Sequence, residues 1–510
     1  MKALLILCLF LSSCSKASNQ DTLRMNLGTE PPSLDWNIAS DSTSFDVISN
    51  IMIGLTRFGM DTQGKLTIEP GIAESWTISD NATKYVFHLN PQAKWTDDKQ
   101  VTSQEFLDSI KRILDPNTAA PYAELLSMID LTETKTPDDT TLIIKLKHPA
   151  PYFIYLTAFG PMCPIRLDII KQYGKNWTEP RNIVSNGPFK LIQWQHEYKI
   201  LLERNESFYL SKPHLKFLKY FMVPEQSSAF TLFKNNQLDW IDSRSIPTSE
   251  LRKLKHPQRF ALMRNTFIGF NCTKAPFNNV LVRKAFAYAI DRDALVKIKA
   301  KGDLANDTWI PPSLSEFLDQ QIINQDATHC PKSFCPKQAR ELLLQAGYPN
   351  GKNFPELEFL IPSREDARLL AETLQAMWAK ELNIRVHIRA MEWKTFLSTL
   401  NSNPPDIFRL NWGADFPDPD TFMGLFVTNH EMNKGHFSDQ QYNNLVKEAA
   451  STVNFNKRKE LYTKAEKILT RDQMAITPLY IDSQIILHQP NIKGLRVLPL
   501  DIVFLDQVSK

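Results

Sequence analysis

Arg409-Leu410-Asn411-Trp412-Gly413-Ala414-Asp415-Phe416-Pro417-Asp418-Pro419-Asp420 gathers a cation, an indole and three aspartates in a stretch punctuated by one glycine and two prolines. Such a segment reads as a loop that carries a site. Trp412 and Asp415 make the physical case, because a carboxylate beside an indole is desolvated on one side and still recognises an ammonium by charge-assisted hydrogen bonding. Arg409 offers the opposite charge, a forked donor suited to a carboxylate. A run presenting both partners suits a zwitterion such as a peptide. The same composition also fits an ordinary Asp/Pro turn with a tryptophan in the core, and the stretch alone does not separate the two.

Working outward, the chain has 510 residues, which implies two or three domains, and 43% apolar residues suffice to bury their cores. Ten tryptophans and thirty phenylalanines are an ample aromatic supply for a large pocket and equally at home in cores. The net charge of +3 comes from basic residues scattered among acidic ones rather than gathered in a stripe. That pattern argues against nucleic-acid binding.

Met1-Lys2 precedes an apolar run over 3–11, followed by Leu11-Ser12-Ser13-Cys14. This is a charged start, a hydrophobic segment and a small-residue cleavage site, too short to span a membrane as a mature helix. The Leu-Ser-Ser-Cys ending resembles the bacterial lipobox, in which the cysteine becomes the lipidated first residue. Residues 1–13 are then a signal peptide, and 14–21 form a polar tether on a membrane anchor at Cys14. Of the remaining cysteines, Cys330 and Cys335 flank four residues and suit a small disulfide loop in an exported protein. No second pair accompanies them, which disfavours metal binding. Cys163 and Cys272 are expected to be free.

Along the chain, the alternation over 22–27 marks a strand with one buried face. Short strand-like runs separated by turns follow between 54 and 98. Thr102 and Glu105 then form a capping-box pair ahead of Phe106, Ile110, Ile113 and Leu114 on one helical stripe. Residues 141–147 and 189–202 return to extended character. Val282, Ala285, Phe286, Ala289 and Ile290 keep a helical period, and Asp291 can cap the next helix. Later helices are expected over 337–346, 365–381 and 458–469. The mixture implies α/β or α+β layers, with the second half richer in helix. Residues 347–352 superficially evoke a phosphate loop, but the glycine spacing is one residue short and Asn353 stands where a Ser or Thr would hold magnesium. The usual metalloprotease, serine-hydrolase and dinucleotide motifs do not occur, and nothing calls for a metal or a cofactor.

Four separated blocks carry a family resemblance. They are Glu69-Pro70-Gly71-Ile72-Ala73-Glu74-Ser75-Trp76 with Phe87-His88-Leu89 and Lys94-Trp95-Thr96-Asp97; Asn271 with Pro276-Phe277-Asn278-Asn279-Val280-Leu281-Val282-Arg283; Ala289-Ile290-Asp291-Arg292; and Glu392-Trp393-Lys394-Thr395-Phe396-Leu397 running on to Trp412-Gly413-Ala414-Asp415. In this order they resemble the extracytoplasmic solute-binding proteins, family 5, of ABC transporters, the oligopeptide-binding type. The resemblance implies a two-lobed periplasmic-binding-protein type II fold with an additional inserted domain. It divides the chain into domain I (22–51, 182–275 and 485–510), an inserted domain II (52–181) and domain III (276–484), closing around a ligand by a hinge.

Carried over residue by residue, the resemblance puts Asp415 on the peptide's α-ammonium and Trp412 and Trp393 along side-chain pockets. Arg409 and Lys299 match positions that receive ligand carboxylates, and Tyr122 matches a ligand-facing tyrosine of the inserted domain. Lys299 also reads as a solvated helix residue, and Tyr122 as a packing residue. The chain departs from the family pattern in places. The 38–42 stretch is read as lacking the acidic ligand-facing residue expected there, and Leu400 and Ala367 replace an arginine and a histidine. Arg264 and Gly413 stand where some relatives have a cysteine pair.

The function implied is a non-enzymatic, lipid-anchored, monomeric receptor at the bacterial cell envelope. It captures short peptides and delivers them to the permease subunits of an ABC importer, with hydrated pockets accepting varied side chains. Murein peptide, dipeptide, haem or a nickel complex is the alternative within the fold, and Asp415 favours a free amine over haem or metal. An acid-base enzyme using Asp415 and Asp418, or a surface adhesin, is the alternative from other classes.

Overall fold

The computed structural model describes residues 21–62, 64–255, 257–324 and 334–510. Cys14, the expected lipidation site, and Cys330 lie outside them. Two strands of 13 residues each, Gln258–Phe270 and Ile476–His488, organise the architecture. They run antiparallel in the middle of an eleven-stranded sheet, with Ile407–Gly413, Leu357–Pro362 and Val386–Met391 beyond one side. Beyond the other side follow Trp240–Asp242, Thr22–Asn26, Phe217–Phe221, Lys199–Arg204 and Phe189–Gln195.

Partners change within these long strands. Near its start Gln258–Phe270 pairs only with the end of Ile476–His488, as in Gln258↔Ile486 and Ala261↔Ser483. From Arg264 onward it also pairs with Ile407–Gly413. The register slips between Ala261 and Asn265, where an irregularity leaves residues unpaired and sharpens the local twist.

Apolar residues on alternating sides of the sheet explain why both faces are covered. Phe267, Leu360, Phe408 and Leu410 pack into one core with Trp309 and Phe422. Ile268, Phe359, Ile361 and Ile407 point the other way, into a core with Phe286 and Trp378. A separate four-stranded sheet orders Ala73–Ser79, Lys84–Leu89, Thr141–Lys145 and Lys135–Asp138. Its Tyr85, Phe87, Leu142 and Ile144 bury against Phe106, Ile110 and Ile113 of the helix Ser103–Leu114.

Local expectations meet the structure closely. The Thr102 N–H donates to the Glu105 carboxylate at 2.8 Å, and the expected later helices span Pro336–Gln345, Glu365–Leu382 and Phe455–Lys467. The last continues into a wider π turn, Ile468–Asp472. The extended 189–202 region is a hairpin of Phe189–Gln195 and Lys199–Arg204, turned at Glu197 with φ 60°. At the C-terminus a small hairpin, Arg496–Val497 with Val503–Phe504, returns to the first half, where the Leu505 N–H donates to Asn50 at 3.1 Å. Among the described residues no helix is long and apolar enough to cross a membrane.

Candidate ligand-binding site

A cavity of ≈ 340 Å³ opens where several parts of the chain converge. These are the helix Ser42–Ile51 with the turn before it, the Tyr122 and Phe159 segments, the irregular stretch of Gln258–Phe270, the loop after Ile407–Gly413 and the tip of the C-terminal hairpin. Its volume lies at the lower end of small-ligand pockets, roughly 300–1,000 Å³. Tyr122, Trp412 and Asp415, three of the residues expected at a site, line it together.

The strand Ile407–Gly413 delivers Trp412 and releases the chain at Gly413, and the Ala414 N–H donates to the Met263 carbonyl at 2.8 Å. A Cβ at Gly413 would stand 3.3 Å from Arg264 Nε, so the glycine gives that guanidinium room to lie across the strand end. Asp415 follows, partly exposed toward the cavity. Burial pushes its carboxyl up to about 7, and a hydrogen bond from the Tyr122 phenol acts in the opposite sense. Among the described residues no salt bridge reaches Asp415. The Tyr122 ring is held edge-on to Phe159, with centroids 4.8 Å apart. Trp412 Nε1 is buried and finds no acceptor among the described residues.

The rest of the loop is spent on structure. Asp418 accepts from Arg458 Nη1 and Nη2 at 2.6 and 2.7 Å, with the two side chains 2% and 5% exposed. Asp420 accepts from the Tyr462 hydroxyl at 3.2 Å. Phe416 is buried against Tyr152, the rings stacked 5.0 Å apart at 12°. An acid-base pair of Asp415 and Asp418 is therefore ruled out by Arg458, which holds both oxygens of Asp418.

The 38–42 stretch, read as lacking the acidic ligand-facing residue expected there, contains Asp41. Asp41 lines the cavity, and its carboxylate accepts from the Ser44 N–H at 2.9 Å and the Ser44 hydroxyl at 2.7 Å, capping the helix behind it. Asp46, one turn further, bridges to Arg244 at 2.9 Å, and burial pushes its carboxyl up to about 6. Arg57, Arg264 and Asp501 complete the charged lining. Asp501 sits in the left-handed region, φ 63°, at the hairpin tip, where the Met263 N–H donates to Pro499. No local motif announces these residues, because their encounter joins segments more than two hundred positions apart, as in Arg264 and Asp501.

The other three expected residues do not line this cavity. Lys299 is 6% exposed, its ammonium 2.7 Å from Asp303 and 3.6 Å above the Tyr480 ring. Arg409 is 5% exposed, against Tyr480 and 4.0 Å from Asp366. Trp393 opens the helix Trp393–Ser402, half exposed and stacked on Phe396 at 5.5 Å. Cys335 is disulfide-bonded, and its expected partner lies outside the described residues. Cys163 and Cys272 are free.

This architecture and sequence match known proteins over almost their whole length. A family model described as bacterial extracellular solute-binding proteins, family 5 middle, matches residues 67–434. The periplasmic oligopeptide-binding protein OppA of Salmonella typhimurium is 29% identical over 515 residues, with 96% of this chain and 92% of that protein covered. The periplasmic murein peptide-binding protein MppA of Escherichia coli is 28% identical over 524 residues, covering 96% and 93%. The solved structure of the oligopeptide-binding OppAIV from Borrelia burgdorferi gives a TM-score of 0.80 at 28% identity, covering 96% of this chain and 99% of that one. The mixed α/β fold is thus the two-lobed type II kind, and these relatives are binding proteins rather than enzymes. On both counts the chain belongs to the bacterial extracellular solute-binding proteins, family 5.

Proposed function

We propose that this chain is the extracytoplasmic receptor of an ABC-type importer and captures short peptides by their free α-ammonium. The observation that carries the reading is Asp415, a carboxylate facing a cavity with Tyr122 beside it and, among the described residues, no cation upon it. An entering ammonium supplies the missing charge, and closure around it removes water and strengthens the pair. Trp412 Nε1 is a donor in want of an acceptor, suited to a peptide carbonyl. Trp412 and Tyr122 wall the space for side chains, and Trp393 lies outside it at the surface.

The oligopeptide-binding relatives support a peptide ligand and delivery to importer permease subunits. The lipobox-like sequence before Cys14 supports a lipid anchor on the outer face of a bacterial membrane, the receptor acting as a monomer. Mass spectrometry of ligand retained through gentle purification tests the reading. Short peptides with free amino termini are expected. Recovery of a single non-peptide ligand would overturn it, and a cell-wall peptide would narrow it toward the MppA-like alternative.

A further inference from the structure

Arg264 commits one nitrogen of its guanidinium to the fold, and a subsite there deepens the amine-anchored peptide reading and rests on it. Its Nη2 donates to Asp501 at 3.0 Å, while Nε and Nη1 have no acceptor among the described residues. Neither of these two nitrogens is buried, and the side chain, 29% exposed, lines the cavity. Arg57, also in the lining, is placed differently. It spends both terminal nitrogens on Asp506 at 3.2 Å and lies over the Phe504 ring at 4.8 Å, and its unpartnered Nε is buried away from any ligand.

Elsewhere in the chain one guanidinium holds two carboxylates. Arg166 takes Asp168 through Nε and Nη2 at 2.8 and 2.6 Å and Asp97 through Nη1 at 2.9 Å. Arg244 takes Asp242 at 2.6 Å and Asp46 at 2.9 Å. Five N–H donors in a planar fork suffice for both partners. Arg264 has the first carboxylate in Asp501 and lacks the second. Its position follows from the strand register. Arg264 lies opposite Gly413, and a Cβ at Gly413 would stand 3.3 Å from Arg264 Nε, so the missing side chain leaves that nitrogen uncovered. Gly413 precedes Asp415 by two residues, a separation of at most about 7 Å along the chain. An extended ligand covers the same span in two residues. With its ammonium on Asp415 and its chain running toward Gly413, the ligand brings its second residue level with Arg264.

We propose that Arg264 forms a subsite for an acidic side chain on the second residue of the peptide, whose carboxylate accepts from Nε while Asp501 keeps Nη2. Asp415 and Arg264 then read opposite charges at neighbouring points of one ligand, the amine and the side chain that follows it. A charge-assisted bond of this kind favours glutamate over its uncharged isostere glutamine at that position.

Titration calorimetry with Ala-Glu-Ala, Ala-Gln-Ala, Ala-Ala-Glu, Ala-Ala-Gln and N-acetyl-Ala-Glu-Ala tests this on the wild-type protein. Ala-Glu-Ala is expected to bind about tenfold tighter than Ala-Gln-Ala, and Ala-Ala-Glu to gain less than about twofold over Ala-Ala-Gln. The substitution Arg264→Gln is expected to bring the first ratio to about one. Equal affinity of the wild-type protein for Ala-Glu-Ala and Ala-Gln-Ala would overturn the proposal, as would a preference that survives Arg264→Gln or an equal gain at the third residue. The wild-type ratio decides without the variant should that variant fail to fold. If Ala-Glu-Ala and Ala-Gln-Ala bind alike while the acetylated peptide does not bind, the amine anchor stands and the Arg264 subsite alone falls. If the acetylated peptide binds as tightly as the free one, or none of the five binds, the anchor falls and the subsite with it.

Discussion

Asp415 and Asp418 stand three residues apart in one loop and are put to different uses. Asp418 is sealed at 2% exposure between the two nitrogens of Arg458, which comes from the helix Phe455–Lys467, forty positions further along. Asp415 faces a cavity with a phenol beside it and no cation among the described residues. One carboxylate holds the loop in place, and the other is held out by it. The lesson is that a charge becomes available to a ligand through the absence of an internal partner, and the cations repeat it. Lys299 has the right chemistry for a ligand carboxylate and already holds Asp303 at 2.7 Å, whereas Arg409 stands 4.0 Å from Asp366 with its Nε unpartnered among the described residues.

Removing the partner from the committed carboxylate is expected to have the largest effect. Arg458→Met leaves Asp418 buried and unpaired, at a cost of roughly 3–5 kcal/mol of folding stability, measurable by chemical denaturation. Asp415→Asn should leave the unliganded fold as stable as before or more so, since it removes a carboxylate that burial disfavours. Equal losses in the two variants would break the comparison.

For binding, the order reverses. Asp415→Asn is expected to weaken an unmodified peptide by roughly a hundredfold or more, as loss of one partner of a desolvated pair does. N-acetylation of the ligand should weaken the wild-type complex comparably, and the two changes together should cost little more than either. Acetylated and free peptides of equal affinity would remove Asp415 as the amine anchor.

The same residue sets a pH dependence. Burial raises the folded carboxyl from an ordinary 3.8 to about 7, so between those values the folded chain holds a proton that the unfolded chain has lost. Its contribution to stability is full at and below about pH 4 and disappears as pH rises toward 7. Ammonium binding needs the carboxylate, so peptide uptake near pH 6 should expel a proton. Calorimetry in two buffers of different ionisation enthalpy measures this, and Asp415→Asn should abolish it.

Smaller effects sharpen the contrast between the loop's anchors and its ligand face. Phe416→Ala removes the ring stacked on Tyr152 and should lower affinity for free and acetylated peptides by one common factor of about ten. A loss confined to free peptides would place Phe416 in amine recognition instead. Trp393→Ala, at a half-exposed position, should change stability by less than about 0.5 kcal/mol. A large loss of affinity there would show that the site extends beyond the cavity.

Much of the fold is legible in local sequence. The capping pair of Thr102 and Glu105, the apolar periods of the helices and the alternation that opens the chain are signals carried by neighbours, and their elements form where expected. Trp412 and Asp415 were readable too, because a glycine and prolines around an indole and acids mark a loop with chemistry on it, and the block they belong to resembles a family.

What residue type alone could not decide is which charges remain open. Asp415, Asp418 and Asp420 look alike in sequence, as do Arg409 and Arg264, and each depends on a partner brought from a distant segment. Arg458 takes Asp418, Asp366 sits beside Arg409, and Asp501 on the C-terminal hairpin takes Arg264. Residue type and local period determined the elements and the candidate chemistry of this chain, because those follow from side-chain volume, torsional preference and spacing. Only the tertiary structure decided which charges are paired within the fold and which face the cavity, because ion pairing depends on distance and burial, and both are set by chain segments that meet only after folding.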